Sequence, residues 1–151
     1  MGRDRIITKD QFIDQLVAVC PSFGASWQRF KMEWIGNPVL SEDDGDGTLP
    51  HYLLLSDLAN HLIGLLERGE TESFPAIFGV VEDWVVHGEH YVSEAAIVGL
   101  LEDLTAPHRY TTSHPSRFIP WLGPESIKWW SEVIDFWKRL DSGNFRPLAI
   151  D

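Results

Sequence analysis

Apolar residues recur along this 151-residue chain at three- and four-residue spacing, in discrete runs punctuated by glycine and proline. Phe12, Leu16 and Val19 mark a first helix behind Thr8-Lys9-Asp10-Gln11, which has the form of a capping box, and Cys20-Pro21 ends it. Phe23, Trp27, Phe30 and Trp34 fall at i, i+4, i+7 and i+11, so four aromatics share one stripe of a second helix ending near Gly36-Asn37-Pro38. Such a stripe ordinarily faces a core rather than a ligand. Thr48 is placed to cap a third helix with Pro50 in its first turn, Leu54, Leu58, Leu62, Leu65 and Leu66 on its apolar side and Gly69 at its end. A fourth helix carries Phe74, Ile77, Phe78, Val81 and Val85 as far as Gly88, and a fifth runs from Tyr91 to Leu104, ahead of Pro107.

Prolines at 107, 115, 120 and 124 predict a long irregular excursion with one short turn. Its Phe118, Ile119, Trp121 and Leu122 should pack back on the helices. Gly123-Pro124 then opens a last helix with Ile127, Trp130, Ile134 and Trp137 at helical spacing, ending near Gly143. Neighbouring helical residues diverge by about 100°. Trp129 with Trp130, and Phe136 with Trp137, therefore do not share one narrow stripe, and this helix is either embedded on several sides or offers an aromatic to a partner. Its apolar content favours embedding.

Leu62-Ile-Gly-Leu-Leu-Glu67 returns as Ile97-Val-Gly-Leu-Leu-Glu102, an offset of 35 residues that suits stacked hairpins. Strand signals are confined to Val85-Val86 and Arg109–Thr112. The pattern predicts an all-α protein, a single compact domain over 1–151 of about five to seven helices in stacked antiparallel hairpins.

Composition adds that this domain closes on a substantial core, since 44% of residues are apolar and seven Trp and eight Phe are present. Cys20 is the single cysteine, which rules out an intrachain disulfide and points to a reducing, cytoplasmic setting. No apolar signal core opens the chain, and no run approaches the roughly 18 apolar residues of a membrane span.

Charge changes the picture most. The net charge is −11, yet residues 32–108 hold fifteen Asp or Glu against Arg68 alone, a net −14, while the remaining residues sum to +3. Such a field repels nucleic-acid phosphates and anionic membranes and steers cationic partners inward. The same acidity also serves solubility.

Catalytic chemistry finds little purchase. His87-Gly-Glu-His90 would need an unbroken helix to present two imidazoles to a metal, and Gly88 breaks it. Glu42, Asp44, Asp46 and Gly47 match positions one, three, five and six of a calcium-binding loop, but position twelve is Leu53 instead of a bidentate Glu. Cys20 reads as a buried structural thiol, no Gly-x-Ser-x-Gly or phosphate-cradling motif occurs, and adjacent pairs such as Glu82-Asp83 and Glu102-Asp103 point apart. No catalytic, cofactor-binding or metal-ligating residue is assigned.

Tyr91-Val-Ser-Glu-Ala-Ala-Ile-Val-Gly-Leu-Leu-Glu-Asp-Leu104, followed by Trp121-Leu-Gly-Pro-Glu-Ser126 and Trp129-Trp130, resembles a group of small bacterial helical proteins. In general character the chain is similar to immunity proteins of polymorphic and contact-dependent toxin systems. That resemblance implies an acidic cytoplasmic protein that neutralises a cognate toxin by binding it. Charge and aromatics together put the expected binding surface at Asp43, Asp44, Asp46, Glu82, Asp83, Glu89, Trp129 and Trp137, facing a basic protein such as a nuclease toxin domain, and neither nucleic acid nor membrane. The alternatives are a helical adaptor that binds another protein and a metal-dependent hydrolase using the histidines and the acidic loop.

Overall fold

Each apolar run becomes a helix in the computed structural model, which describes residues 6–41 and 48–141. In order these are α1 (Phe12–Val19), α2 (Gly24–Trp34), α3 (His51–Glu67), α4 (Phe74–His87), α5 (His90–Glu94), α6 (Glu102–Leu104) and α7 (Pro124–Asp141). A π-helical segment, Ala95–Leu101, joins α5 to α6 without a break. Among the described residues no strand forms. Val85 and Val86 lie within α4, Arg109 closes a 3-10 turn, and a single parallel bridge links Ile7 to Gly88.

Two expected caps are replaced by other contacts. The Thr8 amide donates to Gln11 Oε1 at 3.2 Å, one half of the capping box, but the residue preceding α1 is Gln11 and its side chain caps nothing. Helix α3 starts one residue after Pro50, and the Thr48 hydroxyl accepts instead from Lys9 Nζ at 2.9 Å. The end of α3 follows expectation, with Gly69 at φ 75° where an L side chain would be strained.

The core is centred on α3 and the π segment. Leu54, Leu55, Leu58 and Leu62 are fully buried, and they face a stretch in which Ala95, Ala96, Ile97, Gly99, Leu100 and Leu101 are buried as well. A helix apolar on nearly every side belongs in the centre of a bundle. Gly99 permits the approach, because a Cβ there would stand 3.1 Å from Leu55 Cδ1 and 3.2 Å from Tyr52 Cδ1. The two copies of the Leu-rich hexamer thus lie on segments that pack against each other.

Around this pair α4 contacts α1, α5 and α7. Its buried side includes Trp84 as well as Phe74, Ile77, Phe78 and Val81, while Val85 is only half-buried. The Trp84 ring meets Phe12 edge-on at 5.0 Å. The proline-rich excursion holds two 3-10 turns, Pro107–Arg109 and Pro115–Trp121. As expected it packs inward: Phe118 is fully buried 5.7 Å from Phe74, and Trp121 stands edge-on to Phe74 at 4.9 Å.

Helix α7 is rotated relative to the expected stripe. Ser126, Trp130 and Val133 are buried, whereas Ile127 is 39% exposed. The cause is an anchor at the helix start, the Glu82 carboxylate, which turns Ser126 inward and carries Ile127 about 100° away. The expected end at Gly143 lies outside the described residues.

Candidate functional site

Carboxylates of the acidic block divide into those consumed by the fold and those left at the surface. Glu82, on α4, belongs to the first group. Its Oε2 accepts the Glu125 amide at 3.0 Å, and its Oε1 accepts the Ser126 amide at 2.9 Å and the Ser126 hydroxyl at 2.8 Å. An anion is thereby seated on the unpaired N–H groups opening α7, where the helix dipole favours negative charge. Burial pushes the Glu82 carboxyl up, but these amides and the hydroxyl outweigh it and leave its pKa lowered. Gly123 makes room, since a Cβ there would stand 2.5 Å from Glu82 Cδ. The Trp121–Ser126 motif is therefore the receptor for Glu82: glycine for clearance, proline for the first helical turn, serine as a double donor.

Glu67 and Glu89 act in the same manner on other segments. Glu67 Oε2 accepts the amides of Thr111, Thr112 and Ser113 at 2.9, 2.9 and 3.1 Å, which gathers the excursion against the end of α3. The Thr112 and Thr111 amides hold this carboxyl down at about 2. Glu89 Oε2 accepts the Lys9 amide at 2.6 Å, beside the bridge in which Ile7 N donates to the His87 carbonyl and Glu89 N to the Ile7 carbonyl.

Glu33, Asp57, Glu72 and Asp83 form the second group. They are exposed, and their carboxylates make no ion pair or hydrogen bond among the described residues. A partly buried acidic patch adjoins Tyr52, whose hydroxyl lies 3.5 Å from Glu94 Oε1. Burial, Glu94 and Glu102 together push the Tyr52 phenol up to about 12. Burial raises Glu102 and Asp103 too, with Arg109 Nη2 at 3.4 Å from Asp103 Oδ1 pulling the latter back.

The expected binding residues do not converge. Asp43, Asp44 and Asp46 lie outside the described residues. Glu82 and Glu89 are committed to internal backbone donors, while Asp83 points to solvent. Trp137 is half-buried and donates through Nε1 to Thr105 Oγ1 at 2.9 Å. Trp129 is half-buried at the edge of an open hollow of about 700 Å³ with Lys128 and Glu132. Helix α7 is thus embedded through Trp130 and Val133, with Trp129 on its outer side. Large apolar side chains stand exposed elsewhere, at Met32 (84%), Ile6 (64%), Ile35 (62%) and Val39 (59%). Met32 is hidden in the sequence because the stripe through Phe30 and Trp34 accounts for the inner face of α2 alone, while Ile35 and Val39 lie past the end of that helix.

Next to Ile35 a cleft of about 390 Å³ opens between α1, α2 and the start of α3, with Lys9, Asp10, Asp14, Trp27, Lys31 and His51 on its walls. Trp27 Nε1 donates to Asp14 Oδ1 at 2.9 Å, and Lys31 Nζ sits 4.7 Å from the centre of the Trp27 ring. His51 is 2% exposed, and its Nδ1 lies 2.9 Å from the Tyr91 hydroxyl, which donates to the Leu49 carbonyl at 3.2 Å. Burial and the nearby Lys9 ammonium lower His51 to about 4, so the ring is neutral at neutral pH. A lone histidine opening a Leu-rich helix offers no sequence signal for this arrangement.

His87 and His90 do not share an unbroken helix face. The helix breaks at Gly88, Glu89 is turned to Lys9, and among the described residues no group of three or more His, Cys, Asp or Glu could hold an ion. Cys20 is buried with its Sγ 3.6 Å from Ser22 Oγ. No helix among the described residues is long and apolar enough to cross a membrane.

The chain matches no curated protein and no solved structure. A family described as a domain of unknown function, DUF7674, matches residues 13–138, a span that takes in helices α2 to α6 whole and most of α1 and α7. The chain belongs to the DUF7674 family.

Proposed function

We propose that this is a binding protein for a basic protein partner, and in its most concrete form a cytoplasmic immunity protein that neutralises a bacterial toxin domain by covering its active site. The observation that carries this reading is the −14 charge of residues 32–108, of which Glu33, Asp57, Glu72 and Asp83 remain exposed and unpaired among the described residues. Complementary charge accelerates encounter and fixes orientation, and an acidic surface is suited to occupying the phosphate-binding cleft of a nuclease. Exposed apolar Met32, on α2, and Ile35, just past its end, neighbour Glu33 in sequence, a combination of anchor and steering charge.

A second reading, a helical adaptor, is favoured by the same exposed Met32, Ile35 and Val39 taken without the charge. It predicts binding that salt hardly affects. Capture of partners from the host with the tagged protein, at low and moderate salt, separates the two. A basic toxin-like domain lost at higher salt supports the immunity reading, and a salt-resistant partner supports the adaptor. Charge reversal belongs at Asp57 and Asp83, because replacing Glu82 would also release α7.

A further inference from the structure

Helix α7 turns Trp130 and Val133 into the core and leaves Trp129 half-buried on its flank, beside an open hollow of about 700 Å³. On the basic-partner reading, which this assignment presupposes, we propose that the hollow seats an arginine side chain of the partner. The guanidinium stacks on the Trp129 indole and donates its edge N–H groups to Glu132.

The indole is available for such a contact. Among the described residues Trp129 makes no ring stacking, cation contact or hydrogen bond. Trp27 and Trp121, by contrast, are engaged by Lys31 and by Phe74. Tryptophan and arginine are the residue types most enriched among the side chains that carry the energy of protein interfaces. Helical residues three and four apart are neighbours on the surface, so Glu125 and Glu132 stand before and after Trp129 along α7, and both line the hollow.

Charge selects the occupant. Lys128 Nζ lies 3.1 Å from Glu125 Oε2, so these two lining charges satisfy each other. Glu132 is exposed and makes no ion pair or hydrogen bond among the described residues, and neither does exposed Asp135 one turn further on. What remains is an uncompensated carboxylate beside an aromatic ring. A guanidinium meets both at once, by its plane and by its edge, whereas a lysine ammonium is more strongly hydrated and has no plane to stack. An acidic side chain would face Glu132, and an apolar one would strip water from that carboxylate without replacing it. A second copy of this chain, at net charge −11, would set like charges against each other.

The test uses the full chain labelled with nitrogen-15, titrated at low salt with hexa-arginine or hexalysine, two probes of equal charge, while the tryptophan indole N–H resonances are followed by NMR. The expected result is a saturable shift of the Trp129 indole with hexa-arginine, which should bind about threefold or more tightly than hexalysine. Trp129→Leu and Glu132→Gln should each weaken hexa-arginine by about threefold and bring the two peptides level. Glu132 is exposed, so Glu132→Gln supplies a folded variant independent of the packing that Trp129 contributes. A Trp129 indole that stays in place while resonances of residues 32–108 move, equal affinity for the two peptides, or a Trp129 shift that depends on protein concentration without any peptide overturns the proposal. The first of these leaves the basic-partner reading standing. Loss of that reading shows separately, as association indifferent to salt and to charge reversal at Asp57 and Asp83.

Discussion

Glu82 Oε1 receives both the amide and the hydroxyl of Ser126, at 2.9 and 2.8 Å, across 44 residues of sequence. This bond pair sets the rotation of α7, buries Ser126 and leaves Ile127 outside. Glu82→Ala leaves two helix-end amides and a buried hydroxyl without an acceptor, and should lower the unfolding free energy in urea by about 2 kcal/mol. Gly123→Ala, which drives a methyl into the same carboxylate, should cost a similar amount. The double variant should cost clearly less than the sum, because both changes break one contact.

Acid should act on Glu67 in a defined window. Its folded carboxyl titrates at about 2, held down first by the Thr112 and Thr111 amides, against an ordinary 4.5. A depressed folded pKa contributes stability that is complete above the ordinary value and is lost as pH falls from about 4.5 toward about 2. Glu67→Gln should therefore destabilise the protein at neutral pH and flatten the stability profile within that interval, measured by urea unfolding at a series of pH values.

His51 should titrate far from free histidine. Burial and Lys9 hold it at about 4 against an ordinary 6.5, so the unfolded chain takes up its proton first and stability falls as pH drops from about 6.5 to about 4. Proton NMR of the His51 ring should show a midpoint near 4, while a midpoint near 6.5 would contradict the buried, neutral ring.

Two tryptophans should respond differently to replacement by phenylalanine. Trp84 is fully buried and its Nε1 has no acceptor among the described residues, so Trp84→Phe removes an unsatisfied donor together with some packing. Trp137→Phe instead strips the 2.9 Å bond to Thr105. Trp84→Phe should cost less than about 2 kcal/mol in urea unfolding, below the roughly 3–5 kcal/mol typical of truncating a buried aromatic to alanine.

Elements whose signals are local could be read from the sequence. The periodic runs ending at Gly69 and Gly88 gave helices close to their observed bounds, and Phe118 was foreseen as an inward anchor of the excursion. Contacts spanning 40 to 80 residues could not be read that way. Nothing near Glu82, Glu67 or Glu89 marks the distant amides they accept, so Glu82 and Glu89 looked like free surface charge. The same blindness misplaced Ile127, since the tether to Ser126 and not the hydrophobic period fixes α7. Trp84 escaped because a regular stripe through Val81 and Val85 left no reason to look between them. His51 became visible only when α1, α2 and α5 were assembled around it.

The most direct test of the account is the association rate with the basic partner, measured by stopped flow from low to moderate salt for the wild type and for Asp57→Lys and Asp83→Lys. Charge steering predicts a rate that falls steeply with salt, several-fold slower association for the reversed variants at low salt, and little change in dissociation. Rates that ignore both salt and charge reversal would contradict it and leave the exposed Met32, Ile35 and Val39 as the basis of binding.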